Sequence, residues 1–258
     1  MRWNKRQREM LQAMGVRLFE PREAEGGLPT LPAAVAAPSA GAAGTAAQVA
    51  SPAAATVAAR PSALRPEIAL LDWTGLREAV AACRACALCE SRRQTVFGVG
   101  HPRAHWMIVG EAPGEQEDRQ GEPFVGPAGQ LLDNMLRALG LTRDEAPPER
   151  QVFIVNTLKC RPPKNRNPDP AETAQCAPFL ERQIALVQPR LILAMGRFAA
   201  QALLSTDEPL GRLRGRVHQY HGVRIVVTYH PAYLLRTPAD KARAWEDLCL
   251  AASLVQPA

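Results

Sequence analysis

Four short apolar runs alternate with stretches of helical character, and they restrict the fold of this 258-residue chain more than any other feature. The runs read as buried strands at residues 106–109, 152–155, 191–194 and 225–228. Helical patterns are predicted at residues 70–82, 130–139, 170–187, 197–204 and 239–254. Strands that alternate with helices predict an α/β fold, in which helices cover both faces of a mostly parallel sheet.

The N-terminal part of the chain has a different composition. Residues 1–20 are predicted to form a basic amphipathic peptide. Residues 21–63 are rich in Ala and Pro and have almost no large side chains, so we predict a flexible linker. The folded domain is predicted at residues 64–258. The peptide at residues 3–19 either docks on its own domain or binds a replication or repair partner, and the sequence does not decide between the two.

The net charge and the cysteine content indicate which partners and which cellular compartment to expect. A formal net charge of +6 is compatible with a polyanionic partner, although many basic proteins bind none. No apolar run is long enough to span a membrane, and the N-terminus lacks the apolar core of a signal peptide. We therefore expect a cytoplasmic protein, and separately we expect a monomer. In that compartment the six cysteines are expected to be reduced thiols or metal ligands rather than disulfides.

Polar residues follow three of the predicted strands. Gly110 and Glu111 open an acidic loop after the first strand, Asn156 follows the second and His230 follows the fourth. Ligands of open α/β sheets bind at the carboxyl ends of the strands. Asn suits the reading of a base edge, and a neutral His can donate a hydrogen bond to a developing anion. Each residue alone could be an ordinary turn or cap, but three at one sheet edge favour a functional site.

The cysteine spacing suggests a four-thiolate site. Cys83 and Cys86 form a C-x2-C pair, and Cys160 and Cys176 flank a loop far downstream. Zinc or an iron–sulfur cluster could fill such a site. Cys89 leaves an ambiguity because it forms an equally good pair with Cys86, and buried core thiols are a further alternative.

Four motifs together carry a resemblance to a known family. In chain order they are GEAPGEQED from Gly110, GEPFVGPAGQLL from Gly121, VNTLKCRPPKNRNP from Val155 and YHPAYLL from Tyr229. With these motifs the chain resembles the family 4 uracil-DNA glycosylases. The resemblance implies a three-layer α/β/α sandwich around a four-stranded parallel sheet. It also implies a [4Fe–4S] cluster, with the ligands Cys83, Cys86, Cys160 and Cys176 rather than Cys89.

The resemblance implies that the protein flips uracil out of DNA, hydrolyses its glycosidic bond and leaves an abasic site. Gly110 and Phe124 would line the base pocket, with Phe124 stacking on uracil. Asn156 would read the base, His230 would donate to uracil O2, and Glu111 would position water. The basic residues expected to hold phosphates are Arg161, Lys164, Arg166 and Arg236. Tyr233 and Leu234 are expected to fill the gap in the duplex.

Two other readings remain open. One is a DNA-damage-binding module that keeps the fold and the cluster without catalysis, although Glu111, Asn156 and His230 argue against it. The other is a zinc-stabilised accessory protein of a polymerase. A sibling branch that traps abasic DNA covalently carries GEQPG, with glutamine at the position of Ala112. Because this chain lacks that glutamine, the resemblance implies an enzyme that turns over.

Overall fold

A computed structural model of the protein describes residues 9, 10, 13 and 65–255. Apart from the helical positions Glu9, Met10 and Ala13, the predicted N-terminal peptide and the Ala/Pro-rich segment therefore lie outside the described residues. Among the described residues, no helix combines the length and the apolar character needed to cross a membrane.

The described part of the chain is organised around one six-stranded sheet with the order β1-β3-β2-β4-β6-β5. The strands are β1 Val99–Gly100, β2 Trp106–Gly110, β3 Phe153–Asn156, β4 Leu191–Met195, β5 Val217–Tyr220 and β6 Val223–Thr228. The four central strands are parallel, and β1 and β5 run antiparallel at the two edges. The carboxyl ends of β2, β3, β4 and β6 therefore lie side by side at the same end of the sheet.

The predicted four-stranded parallel sheet is confirmed, and the two antiparallel edge strands are additions to it. Every residue of β2 and β4 is buried, as expected for strands covered on both faces. The sequence signal for the edges is weak because β1 has two residues and β5 is half exposed. The β5–β6 hairpin turns through His221 and Gly222, which both have positive φ angles.

Nine α-helices are present among residues 65–255. They are α1 Trp73–Ala82, α2 Leu88–Ser91, α3 Glu115–Gln120, α4 Pro127–Ala138, α5 Pro170–Val187, α6 Arg197–Leu204, α7 Leu210–Leu213, α8 Pro231–Arg236 and α9 Lys241–Leu254. Short 3₁₀ turns occupy Pro66–Leu70, Pro163–Asn165 and Pro238–Asp240. Leu70, predicted on the apolar side of the first helix, is instead 85% exposed, because that helix begins only after Asp72 caps it.

Two apolar cores flank the sheet and make it the middle of three layers. The side chains of β2 alternate between them, so that Met107 faces one core and Ile108 the other. The first core is completed by α1, α5, α6 and α7. The second is completed by α4, α8 and α9, and Met10 packs against its surface. This arrangement confirms the predicted α/β/α class.

Candidate active site

A cleft of about 770 Å³ lies at the carboxyl ends of the parallel strands. The residues predicted there from β2, β3 and β6 all line it, namely Glu111, Asn156 and His230. Phe124 enters the same cleft from the loop between α3 and α4. The structure therefore brings together in one cleft the side chains of Glu111, Phe124, Asn156 and His230, for which related roles were predicted.

Gly110 allows the side chains of Asn156 and Phe124 to approach each other closely. It ends β2 and pairs in register with Asn156 at the end of β3. A Cβ atom at Gly110 would collide with Asn156 Oδ1 and with Phe124 Cζ. Any other residue at Gly110 would displace the amide or the ring, so the predicted binding role of this position has a steric basis.

Asn156 carries an unused hydrogen-bond donor inside the cleft. The residue is 1% exposed, and its Nδ2 has no hydrogen-bond partner among the described residues. A buried amide donor without a partner costs about 1–3 kcal/mol. Its main chain is held in place, because the buried Lys159 donates from Nζ to the Asn156 carbonyl at 2.7 Å. The cleft thus contains a buried donor, on a residue whose main chain is held, and a bound acceptor would satisfy it.

His230 is held as a neutral ring with a defined proton. Burial, reinforced by the charge of Arg236, lowers its pKa to about 4. Its Nδ1 accepts a hydrogen bond from the Ala232 amide at 3.2 Å, so the proton of the neutral ring resides on Nε2. The imidazole also stacks on Phe124, with ring centroids 5.3 Å apart. Nε2–H is consequently available as a donor at neutral pH.

Glu111 is a partly desolvated carboxyl group beside a cation. Burial raises its pKa, and the charge of Arg197 opposes the shift. The loop is fixed to the end of β3, because the Glu111 carbonyl accepts hydrogen bonds from the Leu158 amide, at 3.1 Å, and from the Thr157 hydroxyl. A carboxylate with a raised pKa is better suited to accept a proton than an exposed one.

The end of β4 contributes residues that the sequence reasoning missed. Gly196, Arg197 and Phe198 line the cleft, and the Arg197 guanidinium lies 4.6 Å from the centre of the Phe198 ring. Gly196 is needed at φ 89°, where an added Cβ would stand 3.0 Å from His230 Cβ. A glycine directly after an apolar run, as at Gly110, was a signal that could have identified this strand end.

The predicted phosphate-binding cations occupy different positions around the cleft. Arg166 and Arg236 line it, whereas Arg161 and Lys164 are not among its lining residues. Arg166 already forms a bidentate ion pair with Glu172, at 2.6 and 2.9 Å. Arg161 bonds Asn165 at 2.7 Å and lies 3.4 Å from Glu115. The loop is therefore basic, but two of its cations have acidic neighbours.

The prediction that Leu234 helps to fill the gap in the duplex requires a correction. Leu234 is fully buried in the second core, so it cannot contact DNA in this conformation. The neighbouring Leu235 is 43% exposed and is the apolar side chain that α8 presents outward. Tyr233 lines the cleft, but its ring stacks on Tyr229 and its hydroxyl donates to Asp240 at 2.7 Å. Because Leu234 and Leu235 are adjacent and identical, the sequence could not show which of them faces the core.

Five of the six cysteines lie at an apolar cavity that shares no lining residue with the cleft. Cys83, Cys86, Cys160 and Cys176 line it together with Cys89. Among the described residues, no three Cys, His, Asp or Glu side chains are arranged to hold a single metal ion. Four cysteine thiolates can hold either zinc or an iron–sulfur cluster.

Hydrogen-bond donors surround these sulfurs. Arg92 donates to Cys160 Sγ at 3.1 Å, Arg65 to Cys83 Sγ at 3.4 Å, and the Lys159 amide to Cys176 Sγ at 3.3 Å. Donors of this kind stabilise the negative charge of ligating thiolates. The donor set therefore fits an anionic cluster bound at this cavity.

Comparisons with known proteins agree with this geometry. The sequence profile of the Uracil DNA glycosylase superfamily matches residues 97–249, more than half of the chain. The type-4 uracil-DNA glycosylase of Sulfurisphaera tokodaii is 43% identical over 181 residues, which cover 67% of this chain and 80% of that protein. The type-4 enzyme of Pyrobaculum aerophilum is 41% identical over 188 residues, covering 70% of this chain and 93% of that protein. The chain belongs to the type-4 uracil-DNA glycosylases.

Proposed function

We propose that this protein removes uracil from DNA by hydrolysing the bond between uracil N1 and C1′ of the deoxyribose, leaving an abasic site. The observation that carries the proposal is the buried Asn156 amide, whose Nδ2 lacks a partner in a cleft shared with Phe124 and His230. Such a cleft is closed to a base inside the duplex, so the nucleotide must be flipped out to enter it.

Asn156 supplies the choice of base. Its NH2 donates to uracil O4 and its side-chain carbonyl accepts from N3–H. Cytosine presents an amino group and an unprotonated N3 at the same places. A donor would then face a donor and an acceptor would face an acceptor, so neither hydrogen bond could form. A buried site that hydrogen-bonds one edge rejects the other because its polar groups are left unpaired.

His230 and Glu111 act on the two fragments of the breaking bond. The C1′–N1 electron pair leaves with uracil, and His230 Nε2–H donates to the negative charge that develops on O2. Water supplies the oxygen that bonds to C1′. Glu111 positions this water, accepts its proton and offsets the positive charge on the sugar. The raised pKa of Glu111 supports the proton-accepting role.

The cysteine cavity has a structural part in this proposal. Cys83, Cys86, Cys160 and Cys176 would hold a [4Fe–4S] cluster that fixes the loop following Asn156 to the N-terminal part of the folded domain. Arg197, Arg166 and Arg236 would contact phosphates around the flipped nucleotide. Leu235 is the apolar side chain available to the duplex gap. A cytoplasmic, monomeric enzyme and a tail partner for residues 3–19 remain parts of the proposal.

The test is an excision assay with the purified full chain. An oligonucleotide with one uracil should yield free uracil and one abasic site per strand, whereas a matched cytosine oligonucleotide should stay intact. Binding without release of uracil would instead support the damage-binding module. Iron and zinc should be quantified in the same preparation, because a zinc-loaded, colourless protein would contradict the cluster.

A further inference from the structure

The ring of Phe124 is presented to the cleft by a backbone conformation that few side chains adopt. Phe124 has φ 54°, in the left-handed region where residues with a Cβ are disfavoured. Its side chain is buried against Gly110 and His230. Such a conformation persists where surrounding contacts hold it in place. The contacts at Phe124 therefore decide whether the ring stays in the pocket.

Two charged side chains hydrogen-bond to the main chain of Phe124, one to its amide and one to its carbonyl. The Glu117 carboxylate accepts hydrogen bonds from the amides of Phe124 and Gly114. Arg143 donates from Nη2 to the Phe124 carbonyl at 3.0 Å and from Nη1 to the Pro123 carbonyl at 3.2 Å. The third donor of the guanidinium, Nε, is oriented by Asp133 at 2.6 Å.

Arg143 does not line the cleft and contacts no reacting group. Its side chain is 17% exposed, and the three donors fix its plane against the loop between α3 and α4. On the other side of this loop, Gly129 approaches so closely that an added Cβ would collide with the Phe124 carbonyl oxygen. The carbonyl is thereby confined between α4 and the guanidinium.

We infer that Arg143 is a positioning residue for uracil recognition, which acts by holding the Phe124 main chain so that the ring forms one wall of the base slot. The inference rests on the proposed stacking of Phe124 on uracil. Its consequence is that a residue outside the cleft sets the affinity for the base. Arg suits the task because its planar fork reaches two adjacent carbonyls and a carboxylate at once, which Lys cannot do.

The test measures inhibition of excision by free uracil. Arg143→Ala removes two charge-assisted hydrogen bonds to the loop, and we expect the inhibition constant of uracil to rise about 10- to 100-fold. Arg143→Lys should restore part of the affinity, because a single ammonium can still reach one carbonyl. Asp133→Asn leaves the guanidinium in place and should have an intermediate effect. Arg150→Ala is the matched control, since the exposed Arg150 shares with Arg143 a surface depression distinct from the cleft but donates to the Gly140 carbonyl.

A double-mutant cycle separates positioning from a loss of fold. Phe124→Leu should itself weaken inhibition by uracil, and Arg143→Ala should add little to it, because the ring that Arg143 positions is gone. Additive effects in the cycle, or an unchanged inhibition constant in a folded Arg143→Ala variant, would overturn the inference. A parent enzyme that releases no uracil would instead refute the proposed function.

Discussion

The cleft at the carboxyl ends of the strands and the cysteine cavity differ in the elements that supply their residues. The cleft takes its residues from the ends of parallel strands, where the registered pairing of Gly110 with Asn156 fixes their spacing. The cysteine cavity collects thiols from α2 and its flanks, from the loop after β3 and from α5, which no sheet register connects. We infer that the cleft is organised by the sheet itself, whereas the segments around the cavity would be held together by the proposed cluster.

A short segment joins the two sites. Lys159 donates from its side chain to the carbonyl of Asn156 and from its amide to Cys176 Sγ. The next residue, Cys160, is a predicted ligand. A substitution at the cysteine cavity should therefore also disturb the cleft through this segment. A substitution in the cleft should leave the cavity unchanged.

The largest effect is expected from the cysteines. Cys160→Ser should lose iron and lower the melting temperature by about 10 °C, because ligation contributes directly to folding. Iron content and thermal unfolding measure it. Cys89→Ser is the matched control and should keep its iron. The ligand assignment is wrong if Cys89→Ser bleaches the protein and Cys83→Ser does not.

In the cleft, Asn156→Asp should reduce uracil excision by roughly 100- to 1,000-fold, because the donor to O4 becomes an acceptor. Its iron content should equal that of the parent. A slight gain of activity on cytosine is expected for Asn156→Asp and not for Asn156→Ala. His230→Ala should slow both reactions alike, since O2 is common to both bases. Excision at the parent rate by Asn156→Asp would show that another residue reads the base.

The pH dependence should reflect the buried state of His230. Its pKa of about 4 lies below the ordinary histidine value, so the ring stays neutral as pH falls through 6.5 and gains its proton only near pH 4. The pH profile of kcat/KM should show no inflection near 6.5. Its acid limb should follow Glu111, whose pKa is raised, and Glu111→Gln should remove that limb from the residual activity. An NMR titration of His230 near its ordinary pKa would contradict this.

The smallest effect is expected at the N-terminus. Deleting residues 1–61 should leave excision on short oligonucleotides nearly unchanged, because the described residues that line the cleft all lie between Glu111 and Arg236. Met10 packs against the second core, so the deletion should cost about 1 kcal/mol of stability, and Met10→Ala should reproduce most of that cost. A large loss of catalysis on deletion would place the tail within the enzyme core.

Much of the architecture was readable because buried parallel strands give continuous apolar runs. The helix predicted at residues 197–204 has those bounds in the structure. Helix α3 was missed because EQEDRQ has almost no apolar face and is held mainly by the turn at Gly114 and the carboxylate of Glu117. Strand β5 was missed because it lies at an edge and is half exposed.

The site was predicted where strand ends determine it and not where tertiary packing does. Glu111, Asn156 and His230 follow apolar runs, so their common location could be inferred. The burial of Leu234 and the exposure of Leu235 depend on how α8 rests on the second core, which no local pattern shows. The hold of Arg143 on Phe124 spans 19 residues and has no sequence signature.

The ion pair of Arg166 with Glu172 has a consequence for binding in solution. Glu172 also accepts the Asp169 amide at 3.0 Å and so helps to cap α5, the helix that carries Cys176. A phosphate that recruits Arg166 must compete with this carboxylate rather than with condensed counterions alone. The slope of log affinity against log salt should therefore be shallower than a count of the basic residues in this loop would suggest.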